Sequence, residues 1–214
     1  MTDLDAYLAG VVDRLSAELK DDLVAVYLHG SAAMDAFVPT RSDVDVLVVT
    51  RGPVGAHAKS VLAERLSEIA LPCPGVGLEL SIVTSLAARA ASDAPAFELH
   101  LATPGARVVD GVGHPGDPDL VAHFAMARER GVVLFGPPAD QVISPIDRSR
   151  LLLVFADDLV WALEQELGGY AVLNACRALR FAREGTLCSK PEGGAWAVAN
   201  GIGDRALVEA ALRR

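Results

Sequence analysis

The chain has 214 residues, of which 51% are hydrophobic, and a formal net charge of −9. This charge argues against a DNA or RNA partner, which needs a basic footprint to neutralise phosphates, and it suits a cationic small molecule instead. The clearest apolar runs, residues 23–28 and 151–156, are far shorter than the roughly 20 residues of a membrane helix. The acidic start of the chain lacks the basic region of a signal peptide, so we expect a cytoplasmic protein without membrane spans, and a monomer.

The first 85 residues alternate between helical and strand patterns. Apolar residues at helical spacing predict a helix over residues 4–19, and a buried strand follows at 23–29. The strand ends at Gly30 and Ser31, where a short helix is expected. Beyond the polar turn at Ser42, the pattern predicts a strand at 43–49, a helix at 56–69 and a strand at 77–83.

The middle of the chain is less regular, and the last third is helical. We predict a helix over 86–101 with a break near Pro95, a short strand at 107–109 and a helix from 117 to about 130. From residue 145 onward the patterns predict helices only, at 147–166, 170–184, 191–199 and 204–212. The predicted fold is therefore α+β, with a mixed sheet and helices in an N-terminal domain (1–143) and an all-helical C-terminal domain (144–214).

The residues that carry chemistry lie around the first two predicted strands. Leu28-His-Gly30-Ser31 closes the first strand, and Asp43-Val-Asp45 follows after an eleven-residue gap. Gly-Ser at the start of a helix exposes backbone N–H groups that phosphates can approach. Two acids at i and i+2 of a strand point to one face, where their oxygens can hold Mg²⁺. Taken alone, Asp-x-Asp at a strand start is more often a solvated turn or a helix cap.

A third carboxylate, Glu79, stands in the third predicted strand among apolar residues, where a charge is otherwise costly. If this strand pairs beside the one with Asp43 and Asp45, all three acids can serve one metal site. Glu79 could then also take the proton of an acceptor. Taken alone, an edge-strand acid that faces solvent is the simpler interpretation of Glu79. The joint pattern of Gly-Ser, Asp-x-Asp and a third acid is far more specific than any one part.

This joint pattern resembles the signature of the nucleotidyltransferase superfamily. Residues 128–137 (Arg-Glu-Arg-Gly-Val-Val-Leu-Phe-Gly-Pro) resemble the linker before the helical domain of the aminoglycoside adenylyltransferases of the streptomycin and spectinomycin class. Residues 170–177, Ser189-Lys190 and Ala195-Trp196-Ala197 resemble that family's C-terminal motifs. The resemblance covers most of the chain and implies transfer of AMP from ATP to a hydroxyl of a small acceptor.

The resemblance also implies a role for each matching position. Asp43, Asp45 and Glu79 would be catalytic and bind Mg²⁺, with Glu79 acting as the base. The residues expected to contact the nucleotide are Gly30, Ser31, Ser42, Arg177 and Lys190. The arginine and the lysine would reach it from the helical domain, where a cation offsets the charge that develops during phosphoryl transfer.

The acceptor is the least constrained part of this interpretation. A cationic aminoglycoside or aminocyclitol needs a carboxylate. Glu166 is the nearest acid to the family's position, with Glu164 and Asp158 equally possible. Two alternatives remain: the same chemistry on a metabolite or a protein hydroxyl, and a non-catalytic, antitoxin-like partner module.

Overall fold

A six-stranded mixed sheet frames the N-terminal half of the structure, a computed structural model that describes residues 2–213. The strand order is β5-β4-β3-β2-β1-β6. The strands are β1 (Leu23–His29), β2 (Val44–Thr50), β3 (Leu78–Thr84), β4 (Leu99–Ala102), β5 (Arg107–Asp110) and β6 (Val132–Phe135). β2 and β3 are parallel and the other neighbours are antiparallel, so the sheet is mixed, as predicted.

Six α-helices accompany the sheet within the described part of the N-terminal unit, Met1–Pro145. The first helix begins with a capping box: the Thr2 hydroxyl accepts from the backbone N–H of Asp5, whose carboxylate accepts from the N–H of Thr2. The helices are α1 (Asp3–Leu19), α2 (Gly30–Ala33), α3 (Ala56–Arg65), α4 (Ser85–Arg89), α5 (Asp119–Arg130) and α6 (Ala139–Val142).

The two faces of the sheet have different roles. Even-numbered residues of β1, β2 and β3, such as Leu28, Val46 and Leu80, pack with α1 and α3 in the main core. Successive residues of a strand point to opposite faces, so the odd-numbered residues face the other way. On that second face α5 packs against β1 and β2. His29, Asp45 and Glu79 are odd-numbered and therefore share the α5 side of the sheet.

The prediction of a helix over residues 86–101 was correct only for residues 86–89. α4 ends at Arg89, and residues 99–102 form β4, which pairs with β3. Pro95 lacks the backbone N–H that a helix needs. In β4 the buried leucines at 99 and 101 point to the main core, while His100 between them points to the other face. The alternation fits a strand, and β3 supplies its hydrogen-bond partner.

The stretch that resembles a linker, residues 128–137, contains the end of α5 and the strand β6. Within it β6 pairs antiparallel with β1. Gly136 follows with φ +84°, and a Cβ there would lie 2.2 Å from the Val24 carbonyl oxygen. The Tyr27 hydroxyl donates to the Pro137 carbonyl at 2.9 Å. The close approach at the glycine and this hydrogen bond fix the path of the chain beside β1.

Four helices form the second unit, Ile146–Arg214, as far as the structure describes it. They are α7 (Arg148–Glu164), α8 (Gly168–Glu184), α9 (Lys190–Ala199) and α10 (Arg205–Leu212). Gly193 lets α9 approach α8 closely, because a Cβ there would stand 3.0 Å from the Arg177 backbone nitrogen. This unit confirms the predicted helical C-terminal half. In residues 2–213 no helix is long and apolar enough to cross a bilayer.

Candidate active site

The strand register places three polar residues in one row across the centre of the sheet. His29 of β1 stands opposite Asp45 of β2, and Asp45 stands beside Glu79 of β3. Neighbouring strands lie about 4.8 Å apart, so the backbones of Asp45 and Glu79 are close enough for both carboxylates to bind one small cation. The pairing of β2 with β3 that the sequence led us to expect is therefore present.

Gly30 provides the space in which the Asp45 carboxylate lies. Its φ is +65°, a left-handed conformation that glycine adopts at little cost. A Cβ added to Gly30 would lie 1.9 Å from Oδ2 of Asp45 and 2.6 Å from its Cγ. The glycine that follows β1 thus brings the main chain directly against a candidate metal ligand.

The turn before β2 sets the position of Asp43. The Ser42 hydroxyl oxygen accepts from the Val38 N–H at 3.0 Å, and the Ser42 N–H donates to the Val38 carbonyl at 2.8 Å. On the other side, the Val44 N–H donates to the Gly77 carbonyl at 2.8 Å, where β2 begins. Asp43 therefore lies one residue before the strand, whereas the sequence pattern placed it inside. The turn, rather than strand alternation, orients this acid.

The donor set at the row fits magnesium. Asp45 and Glu79 offer only carboxylate oxygens, the ligands that Mg²⁺ prefers, and Asp43 lies two residues from Asp45. Within residues 2–213 no group of three or more His, Cys, Asp or Glu side chains is arranged so that it could hold a metal ion by itself. Magnesium is usually bound through one or two carboxylates, and water and the phosphates of a substrate complete its shell.

A cavity of about 220 Å³ opens beside Glu79 within the N-terminal unit. One wall is His100, whose Nε2 lies 3.9 Å from Oε1 of Glu79 and whose Nδ1 lies 3.0 Å from the Ser81 hydroxyl. Burial lowers the pKa of His100, so its ring is neutral at pH 7. The other ionisable side chains of the lining are Arg107, His114, Asp117, Asp119 and His123.

His29 is the least exposed member of the row, at 4%. Its ring centroid lies 4.8 Å from that of His123 on α5. Burial, and secondarily His123, hold the pKa of His29 well below its usual value of 6.5. His29 is therefore a neutral residue beside Asp45.

In the helical unit, the two candidate nucleotide-binding cations belong to one polar cluster. Arg177 donates from Nε to the Cys188 carbonyl at 2.9 Å and from Nη1 to Oδ1 of Asn174 at 3.0 Å. Lys190 places its ammonium group 4.2 Å from the centre of the Tyr170 ring. Tyr170 and Asn174 both donate to the carboxylate of Asp158, at 3.2 and 2.6 Å.

Two family models match the chain. A model described as a nucleotidyltransferase domain matches residues 9–96, and one described as the C-terminal domain of aminoglycoside adenylyltransferases matches residues 141–212. The chain is a nucleotidyltransferase of the aminoglycoside adenylyltransferase type. The resemblance inferred from the sequence is thereby confirmed, and with it the prediction of an enzyme.

A solved structure has the same fold as this nucleotidyltransferase. Spectinomycin adenyltransferase AAD(9) from Enterococcus faecialis, determined with ATP and spectinomycin, aligns with a TM-score of 0.75 and 19% identity over 99% of this chain and 89% of that chain. A toxin-antitoxin structure with AMP-PNP reaches a TM-score of only 0.36, with 16% identity over 75% of this chain and 93% of that chain, which is too low to support a common fold. No curated protein sequence matches the chain.

The structure brings some of the nucleotidyltransferase's predicted site residues together. Asp45 and Glu79 lie side by side on one face of the sheet, Gly30 packs against Asp45, and Ser31 follows Gly30 in α2. Glu166 lies in the exposed turn after α7 with φ +55°, whereas Asp158 joins the cluster of Arg177. The contacts of these residues with nucleotide and acceptor stay predictions.

Sequence reasoning missed two histidines beside the acids. His100 fell within a segment that was predicted to be helical. Its position between two leucines is a strand signal that could have placed it on the face opposite to them. His123 lies on the predicted helix that became α5, but nothing in the sequence says that this helix covers the end of β1.

Proposed function

We propose that this nucleotidyltransferase moves AMP from ATP to a hydroxyl of a cationic aminocyclitol or aminoglycoside antibiotic such as streptomycin or spectinomycin, in a magnesium-dependent reaction. The observation that carries the proposal is the registered pair Asp45 and Glu79, with Gly30 packed against Asp45. The match to the adenylyltransferase C-terminal domain and the fold shared with spectinomycin adenyltransferase support this class of acceptor.

The three acids, Asp43, Asp45 and Glu79, have distinct parts in the proposed reaction. Glu79 stands on the wall of the cavity and accepts the proton of the acceptor hydroxyl as its oxygen attacks the α-phosphorus of ATP. Pyrophosphate leaves from the opposite side, so no covalent enzyme intermediate is needed. Asp43 and Asp45 would hold the metal, with Glu79 as a further ligand. When bound, Mg²⁺ stabilises the charge on the attacking and leaving oxygens.

Glycine and serine residues near Asp45 and Glu79 would bind the triphosphate. Gly30 has no side chain, so bare main chain lies next to Asp45. Ser31 and Ser42 lie near the two ends of the segment that connects β1 to β2. Arg177 and Lys190 would contribute positive charge to the phosphates. Their shared cluster in the helical unit supports a joint role.

The acceptor's positive charge has candidate partners in both units. In the cavity beside Glu79, the carboxylates of Asp117 and Asp119 suit an ammonium group. In the helical unit, Glu166 is exposed and remains the proposed acceptor-binding acid. A site that hydrogen-bonds its substrate through buried polar groups can discriminate strongly between acceptors. In a panel of antibiotics, AMP should therefore be transferred to a few members and not to the others.

The decisive experiment measures pyrophosphate release from ATP and Mg²⁺ with a panel of aminocyclitol antibiotics, and mass spectrometry of the drug. We expect release together with a mass increase of one AMP group on streptomycin or spectinomycin. Asp45→Asn should abolish it, while Asp35→Asn, at an exposed acid in the same loop, should not. Transfer to metabolites or proteins alone would refute the antibiotic acceptor. Absence of any transfer, with tight co-purification of a second protein, would refute the proposed reaction.

A further inference from the structure

A buried asparagine, Asn174, lies between Asp158 and Arg177 in the helical unit. Tyr170, Asn174 and Arg177 follow each other at i, i+4 and i+7 on α8, a spacing that puts them on one face. Asn174 is the buried member, at 4% exposure. Its neighbours on this face are the charged and aromatic groups of the cluster, so its amide is the link between them.

Both ends of the Asn174 amide are used, and only one orientation works. Nδ2 donates to Oδ2 of Asp158 at 2.6 Å, and Oδ1 accepts from Nη1 of Arg177 at 3.0 Å. A carboxylate can only accept and a guanidinium can only donate, so a flipped amide would lose both bonds. The guanidinium is also held at Nε by the Cys188 carbonyl, which leaves it little freedom of rotation.

Tyr170 connects the same acid to the second cation. Its hydroxyl donates to Oδ1 of Asp158, and its ring carries the Lys190 ammonium group at 4.2 Å. Burial raises the pKa of Tyr170 to about 12, so the hydroxyl remains a donor at neutral pH. Lys190 is the first residue of α9, whose N-terminus is fixed by the Ser189 and Glu192 capping box. Asp158 thus anchors both cations through neutral side chains.

We propose that Asn174 is a positioning residue that holds Arg177 ready for the nucleotide phosphates, with Asp158 as its anchor. The inference rests on the proposed role of Arg177 in ATP binding. It also assigns Asp158 to the nucleotide side of the reaction rather than to the acceptor. An arginine that is already fixed loses less rotational freedom when the phosphates arrive, and this difference appears as affinity.

The first test measures the affinity for a non-hydrolysable ATP analogue with Mg²⁺ by calorimetry. Asn174→Ala should weaken binding by about 3- to 10-fold, the cost of ordering one flexible side chain. Asp158→Asn is nearly isosteric and should act in the same direction, whereas Asp157→Asn, at the exposed neighbouring acid, should have no effect. A purely structural role would lower the fraction of active protein and the Tm but leave the dissociation constant and the KM for ATP unchanged.

A double-mutant cycle tests whether Asn174 acts through Arg177. If it does, Asn174→Ala should add no further loss of affinity in an Arg177→Ala background, because the residue it positions is gone. Should Asn174→Ala fail to fold, Asp158→Asn takes its place in the cycle. Additive losses would overturn the inference while the wild type still binds ATP and transfers AMP. A wild type that binds no nucleotide would overturn both this inference and the proposed function.

Discussion

Gly30→Ala is expected to disable AMP transfer while most of the stability of the fold remains. The new Cβ would stand 1.9 Å from Oδ2 of Asp45, so the carboxylate must retreat by about 1.1 Å to reach the 3.0 Å that real Cβ atoms keep. Cγ, at 2.6 Å, has to move as well, so rotation of the carboxylate alone is not enough. A displacement of about 1 Å can cost on the order of 100-fold in rate, and we expect that loss in kcat/KM.

The backbone cost of this substitution can be separated from its effect on Asp45. Alanine at φ +65° should lose about 1–2 kcal/mol of folding free energy, or roughly 2–8 °C in Tm. Gly105→Ala is the matched control, since Gly105 has φ +77° and nothing within 4 Å of an added Cβ. It should lose similar stability and keep full activity. If kcat/KM of the Gly30→Ala enzyme stays within about threefold of the wild type, the Asp45 carboxylate does not need the space that Gly30 leaves, and the reasoning is refuted.

Two further variants test the acids and the frame around them. Asp45→Asn should reduce transfer below detection without loss of Tm, because it removes a negative charge directly beside Glu79; retained turnover would contradict the assignment. Lys59→Met removes a buried ammonium group that lies 2.8 Å from Oδ1 of Asp110 and 3.4 Å from Oε2 of Glu98. The hydrogen bond from Lys59 lowers the pKa of Asp110, so this stabilisation is present above the ordinary value of 3.8 and is lost as pH falls through the lowered pKa. Thermal melts from pH 6 downward should show a lower Tm and a weaker acid dependence in the variant; an unchanged profile would contradict the linkage.

The elements that carry the acids could be predicted because their sequences allow little else. Residues 44–50 and 78–84 are apolar runs too short for a buried helix and flanked by turn residues. A charged residue inside such a run needs a reason, and this singled out Asp45 and Glu79. The helices of the second unit could be predicted equally well, since each has apolar residues at helical spacing and most follow a residue that can act as an N-cap.

The surroundings of the acids could not be predicted, because they depend on contacts between distant segments. β4 and β6 have four residues each and are strands only because β3 and β1 offer them partners. His123 meets His29 only after α5 packs on the sheet. In the same way, the spacing on α8 could place Asn174 beside Arg177, but not Asp158, which comes from another helix.

The charges beside Asp45 and Glu79, rather than the net charge of the whole chain, decide which ligands the candidate site attracts. His29 lies opposite Asp45 and His100 lies beside Glu79, and burial lowers the pKa of both rings. Neither of these two rings supplies positive charge at neutral pH, so the local field is set by the carboxylates and by Arg107, which also lines the cavity. In a partly buried site this field acts more strongly than in bulk water, whereas exposed charges are screened by salt within about 10 Å. The net charge of −9 is thus a poor guide to the substrate, and the register that puts Asp45 beside Glu79 is the better one.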